Sequence, residues 1–174
     1  MRIHVDVDDT VANLADAWVK CYNVLYDDNK VPDEVTSWEM EGFKADKDVL
    51  LSLIPNIDIR SIEEVDGALN GVNTLRGLGV EIKFSTALNN WNKAWWLRTH
   101  GFCESERDLI VCYDKGWLRG SFLIDDKPEN VFDFASAGGF GILFRKSWNR
   151  GFSWRYDAEN WDEVISTIRH LGDF

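Results

Sequence analysis

A doubly wound α/β fold, with a parallel sheet and a small helical cap inserted after the first strand, is predicted by three observations on this 174-residue chain. From residue 80 onward, short apolar runs of strand character alternate with helical periodicity. One further strand, "RIHVDV", stands apart near the start. Between them, over roughly 15–70, the alternation lapses. Strands alternating with helices imply a parallel sheet covered on both faces. The expected organisation is therefore a core of residues 1–14 and 71–174, with a helical cap over 15–70.

The elements follow in order. After "RIHVDV", the residues Val11, Leu14, Ala15, Trp18, Val19, Tyr22, Leu25 and Tyr26 recur at helical spacing and predict an amphipathic helix over 11–27. "DDNKVPDEVTSWEMEGF" carries turn residues and charges without periodicity and reads as an irregular excursion. A short helix over 46–53 should stop near Pro55, and another over 62–77 should end at the glycines of "LRGLGV". "VEIKF" is a strand, "NKAWWLRTHGF" a helix closed by Gly101, and "DLIVCY" a strand. "GSFLIDD" is the next strand, with Pro128 opening the helix "PENVFDFASAGG" where proline is tolerated. "FGILF" and the helix "WDEVISTIRHL" complete the series.

Composition narrows the functional classes. With 45% hydrophobic residues and nine tryptophans, the chain can build a substantial core. A net charge of -11 argues against a long nucleic acid as partner, because binding a phosphate backbone needs a basic surface. Small phosphorylated ligands stay compatible, since a metal ion can offset their charge locally. No apolar run reaches the ~20 residues needed to cross a bilayer, and "MRIHVDVDD" lacks a signal-peptide apolar stretch. The cysteines Cys21, Cys103 and Cys112 form no CxxC pair and suggest reduced thiols in the cytoplasm. His4, His100 and His170 are scattered and suggest no zinc site.

Ligands of open parallel sheets bind beyond the carboxyl ends of the strands. Strand one ends in Asp6-Val7-Asp8-Asp9-Thr10, "VEIKF" in Ser85-Thr86, "LIVCY" in Asp114-Lys115, and "FLI" in Asp125-Asp126. Oxygen-rich carboxylate clusters hold a hard cation such as Mg²⁺. An aspartate beside the metal can attack phosphorus and form an aspartyl-phosphate. A second carboxylate two residues on can protonate the leaving oxygen and then activate water. Hydroxyls and a lysine can hold the remaining phosphoryl oxygens. Crowding three aspartates into residues 6–9 is tolerable once a dication and a phosphate share the pocket.

With these residues in hand, "DVDDT" matches the DxDxT signature of the haloacid-dehalogenase-like phosphohydrolases. The Ser/Thr pair, the lysine and the "DD" then occur in that family's order, over about residues 3–150. Within the superfamily the chain is most similar to the 5'(3')-deoxyribonucleotidases, through "TSWEMEGF", "LIDDKPENV" and "ILFRKSWNR". The resemblance implies Asp6 as nucleophile and Asp8 as acid/base, with the Asp8 carbonyl on Mg²⁺. It implies Ser85 and Thr86 as phosphate holders and Lys115 as the bridge between nucleophile and phosphate. Asp126, with Asp125 beside it, would complete the metal site, and Leu14 and Trp38 would contribute to a base pocket. The implied substrate is a nucleoside monophosphate, and a homodimer is left open. Leu14 stands where better-known members carry an aromatic residue, and Lys127 stands where arginine is usual.

Rival readings are a phosphatase of the same fold acting on a sugar phosphate or a polynucleotide 3' end, and a non-enzymatic phospho-acceptor module of the response-regulator type. The second is disfavoured because no aspartate ends "VEIKF" and an acidic pair follows the lysine. Lys93 is expected on the surface of its helix. Trp91, Trp95, Trp96, Trp117, Trp148, Trp154 and Trp161 are expected in packing.

Overall fold

The computed structural model describes residues 1–37, 39–88 and 91–172. Its centre is a six-stranded, wholly parallel sheet with strand order β3-β2-β1-β4-β5-β6. The strands are β1 (Arg2–Asp6), β2 (Glu81–Thr86), β3 (Leu109–Val111), β4 (Phe122–Asp125), β5 (Phe140–Phe144) and β6 (Asp157–Ala158). The helices are α1 (Leu14–Tyr26), α2 (Lys47–Leu51), α3 (Ala68–Gly77), α4 (Lys93–Thr99), α5 (Pro128–Ser136) and α6 (Trp161–Gly172). The chain runs outward from β1 through β2 to β3, then returns to β4 beside β1 and runs out the other way. That reversal leaves a crevice beyond the carboxyl ends of β1 and β4. Among the described residues, no helix is long and apolar enough to cross a membrane.

Side chains alternate across each strand, so the sheet's two faces can be assigned from sequence parity. Ile3, Val5, Phe84, Phe122, Ile124 and Ile142 belong to the larger core cluster. Leu123 instead packs with Leu118 and Phe134 in a small second cluster, and His4 meets Phe134 edge-on. Asp6, Ser85 and Asp125 share the parity of His4, Lys83 and Leu123, and the register sets Asp6 against Ser85. The strand period thus carries three polar side chains to the same face at the same end of the sheet.

Several boundaries differ from expectation for local reasons. The first helix begins at Leu14 rather than 11, because residues 7–12 form a turn in which Val11 and Ala12 donate backbone N–H groups to the Val7 carbonyl. Asp9 sits in that turn with φ 56, a left-handed conformation that short polar side chains tolerate. The helix expected from 62 begins at Ala68, because Gly67, at φ 75, breaks the backbone before it. The two-residue strand β6 was too short to leave a period.

Between β1 and α3 the chain forms α1, α2 and three 3-10 turns. Its entry and exit lie side by side: Asn13 N donates to Glu63 O and Val65 N to Val11 O, both at 2.8 Å. Trp18 and Tyr22 on α1 meet Phe43 at ring distances of 5.3 and 4.9 Å. Trp18 also donates its indole N–H to the Leu50 carbonyl at 2.9 Å, joining α1 to α2.

Candidate active site

Asp6, the last residue of β1, meets Lys115 at the foot of the crevice. Lys115 opens a 3-10 turn, Lys115–Trp117, and its ammonium is fully buried. Its Nζ lies 2.8 Å from Asp6 Oδ1, 2.9 Å from Ser85 Oγ and 3.6 Å from Asp125 Oδ2. Burial alone would lower the lysine's pKa, but the charges of Asp6 and Asp125 outweigh it and the net shift is upward. The ammonium therefore stays charged, as a buried lysine between carboxylates should.

Asp125 is held from three sides. Its Oδ1 accepts from Lys127 N at 2.9 Å, and Asn130 Nδ2 reaches both oxygens at 3.0 and 2.9 Å. Asp126 accepts from the Trp148 indole at 2.8 Å, while Asn149 Nδ2 holds the Asp126 and Phe144 carbonyls. Oxygens of Asp6, Asp125 and Asp126 all lie within 4.8 Å of one another, and all three residues are buried. Burial, then the Asp6 charge, raises Asp125 to about 7. Burial, then Asp125, raises Asp126 well above the usual carboxylate range. Such a cluster needs compensation. Hard carboxylate oxygens without a nitrogen or sulfur ligand fit a small divalent cation such as Mg²⁺, which takes a few carboxylates and keeps waters.

Asp8, two residues on from Asp6, lines the same cleft. Its Oδ2 is 2.9 Å from Lys93 Nζ and its Oδ1 accepts from the Trp91 indole at 3.1 Å. Burial pushes Asp8 upward, and the Lys93 charge opposes it. Thr86 turns its hydroxyl to the Leu88 carbonyl at 3.0 Å, and Lys93 also donates to that carbonyl. Asp9 anchors the start of α1 by accepting from Ala15 N at 2.8 Å; burial raises it to about 7.

Above these groups opens a cleft of about 340 Å³, with Asp6, Asp8, Asp125 and Asp126 among its lining and Leu14, Leu51 and Ile54 on the side of the insertion. Beside Leu14 a separate apolar cavity of about 50 Å³ is walled by Trp18, Met40 and Trp148. The structure thus gathers Asp6, Ser85, Lys115, Asp125 and Asp126 tightly, sets Asp8 and Thr86 at the cleft, and puts Leu14 at its apolar wall. Trp38 lies outside the described residues.

The expectation for Lys93 is corrected: it is fully buried, not on the surface. The pattern that could have revealed it is Lys93, Trp96 and Leu97 at i, i+3 and i+4, one buried helix face. Trp91 and Trp148, expected in packing, also turn their indole N–H groups to Asp8 and Asp126. Trp95 and Trp117 are exposed by 40% and 73%, so packing does not account for them. Asn130 and Asn149 belong to the site without a sequence motif to mark them. Asn130 lies in the first turn of α5, five residues after Asp125, close enough to reach back.

Against this geometry, the family model described as 5' nucleotidase, deoxy (pyrimidine), cytosolic type C protein matches residues 1–171. A 5'(3')-deoxyribonucleotidase of Clostridium acetobutylicum is 25% identical over 188 residues, covering 98% of this chain and 96% of that protein. A 5'(3')-deoxyribonucleotidase of Bacillus subtilis is 22% identical over 166 residues, covering 93% and 95%. A HAD family hydrolase from Deinococcus radiodurans, solved with bound phosphate and sodium, superposes with TM-score 0.70 at 13% identity, covering 98% of this chain and 96% of that one. A Bacillus subtilis HAD hydrolase bound to magnesium superposes with TM-score 0.58 at 14% identity, covering 99% and 98%.

Proposed function

The chain belongs to the 5' nucleotidase, deoxy (pyrimidine), cytosolic type C family of phosphoric monoester hydrolases, and from that premise we propose that it is a Mg²⁺-dependent phosphatase that hydrolyses deoxynucleoside monophosphates through an aspartyl-phosphate on Asp6. The observation that carries this reading is the buried Asp6–Lys115 pair at 2.8 Å, faced by Asp125 and Asp126 at the foot of one cleft.

In this reading an Asp6 oxygen attacks phosphorus as the ester P–O bond breaks. Lys115 holds the Asp6 carboxylate in place at 2.8 Å and, with Ser85 and Thr86, takes the phosphoryl oxygens as their charge spreads. Asp8 gives its proton to the leaving oxygen and so releases the nucleoside. The same carboxylate then takes a proton from water, which attacks the acyl-phosphate, frees inorganic phosphate and restores Asp6. Asp6, Asp126 and the Asp8 carbonyl would hold the cation, with Asp125 beside them; bound there, it would offset the crowded negative charge and polarise a phosphoryl oxygen. The segment 15–70 acts as the cap on a core of 1–14 and 71–174, and Leu14 with Trp38 would receive the base. All three cysteines are free, which supports a reducing compartment such as the cytoplasm.

The test is phosphate release from a panel of deoxyribonucleotides, ribonucleotides and sugar phosphates, each with Mg²⁺ and with EDTA. The proposal expects the highest kcat/KM on a deoxynucleoside monophosphate and loss of activity in EDTA. Equal kcat/KM for dUMP and UMP would remove the deoxyribose preference. Undiminished turnover in EDTA would remove the metal-dependent mechanism.

A further inference from the structure

Tyr113 is unused by this mechanism, yet it lines the cleft above the carboxylates. Its side chain is 78% exposed and lines the same cleft as Asp6, Asp125 and Asp126. The chain on either side of it is fixed. Cys112 N donates to Thr86 O at 2.8 Å. The Asp114 side chain accepts from Gly116 N and from the Trp117 indole, both at 2.9 Å. Two residues on, Lys115 is buried against Asp6. These hydrogen bonds hold the loop backbone, so the point from which the ring projects is fixed relative to Lys115.

The other apolar groups of the cleft are in keeping with this. Leu88, on the segment after β2, is exposed by 59%, and Leu51 and Ile54 come from the insertion. The cleft thus combines carboxylates and the cations Lys47 and Lys127 with apolar side chains, a lining that suits a phosphate ester bearing a flat apolar group. Such placement of a few polar groups among apolar walls is the usual make-up of a small-molecule site.

We infer that Tyr113 is the specificity-determining surface on the core side of the cleft, with its ring lying against the base of the bound nucleotide. The inference rests on the nucleotidase reading above and adds a recognition surface outside the insertion. Because Tyr113 and Lys115 share one hydrogen-bonded segment, the ring projects from a point held relative to Lys115 and needs no cap movement to reach the cleft. A stacking ring accepts any base, since every base has a π-face. Tyr113 therefore selects for the presence of a flat group, and discrimination among bases falls to the insertion.

The experiment is steady-state kinetics of wild type, Tyr113→Ala and Tyr113→Phe on dUMP, p-nitrophenyl phosphate and glycerol phosphate, with thermal unfolding as a folding control. Tyr113→Ala should raise KM for dUMP by about ten- to a hundredfold more than KM for glycerol phosphate, with kcat falling less than KM rises. Tyr113→Phe, which keeps the ring, should restore the nucleotide KM. An equal rise on all esters would mean that the residue acts through the Lys115 loop, and no rise would mean that the ring is idle; either overturns the inference. If wild type cleaves p-nitrophenyl phosphate but no nucleotide, the nucleotidase reading fails by itself. Tyr113 is then decided by p-nitrophenyl phosphate against glycerol phosphate: a KM rise confined to the aromatic ester supports it, and an equal effect overturns it. A wild type active on no aromatic ester overturns it as well.

Discussion

Lys115 is the residue on which the charge balance of the site turns, because it is the fully buried cation in contact with both Asp6 and Asp125. This arrangement separates the consequences of substitutions that look alike. Asp6→Asn should abolish turnover, since an amide cannot form the acyl-phosphate, yet leave the fold intact. Lys115 keeps Ser85 at 2.9 Å and Asp125 at 3.6 Å, and the carboxylate cluster loses one repulsive member. Measured phosphate release at the wild-type rate, from protein that melts normally, would remove Asp6 as nucleophile. Asp8→Asn should behave differently, because in the proposed mechanism Asp8 gives and takes the proton. It should slow alkyl phosphates more than p-nitrophenyl phosphate, whose leaving group barely needs a proton. Comparable losses on both esters would count against Asp8 as the acid. The Lys93 and Trp91 contacts give the same residue a fixed orientation in the resting protein.

At the scale of elements, α3 packs on α6 with Gly71 facing Trp161. A Cβ built on Gly71 would meet the Trp161 ring at 2.4 Å, and that ring's N–H also donates to the Thr10 carbonyl at 3.1 Å. Gly71→Ala must therefore push α6 outward or tilt the indole, and overpacking of this kind costs about 1–3 kcal/mol. For a chain of this size that is a fall in Tm of roughly 2–12 °C; an unchanged melting curve would mean that the interface yields freely. Activity should fall as well if the indole releases the Thr10 carbonyl, because residues 7–12 carry Asp8. The same contrast between period and singular contact explains what could be read from sequence. Strands and helices with a clear period were legible: "FGILF" coincides with β5, and Pro128 does open α5. Asp6, Ser85, Lys115 and the Asp125–Asp126 pair were legible as a constellation because each ends or follows a strand of one sheet. The turn at 7–12 was not, since a left-handed Asp9 and two amides on one carbonyl interrupt an apolar pattern that by itself reads as helix. Nor was the role of Lys93 and the two indoles, because a charge or tryptophan on a helix face says nothing about which carboxylate the fold will bring to it.

For the molecule as a whole, the acidic cluster links folding to pH and, under the proposed function, to a divalent cation. Asp9 and Asp125 are raised to about 7, Asp126 well above the ordinary carboxylate value, and Asp8 upward too, with burial the first cause in each case. An acid raised in the folded state binds more protons folded than unfolded between its two pKa values, so stability falls as pH rises through that window. Lys115 does not counter this trend. Its raised pKa contributes stability that is complete below the ordinary lysine value and is lost only at much higher pH. His4 does oppose it, because burial lowers its pKa and stability is then gained as pH rises through the ordinary histidine value. One histidine is set against four carboxylates. Metal-free protein should therefore lose Tm as pH is raised from about 5 to about 8. A divalent cation prefers the ionised carboxylates, so its binding releases protons and its stabilisation grows over the same range. Scanning calorimetry at both ends of that range, in EDTA and in excess Mg²⁺, measures both effects. The expected result is a Tm that falls with pH in EDTA and a Mg²⁺ increment that is larger at the alkaline end. A Tm in EDTA that rises with pH would show that the cluster is not what limits stability. An increment equal at both ends would show that the cation does not sit on these carboxylates.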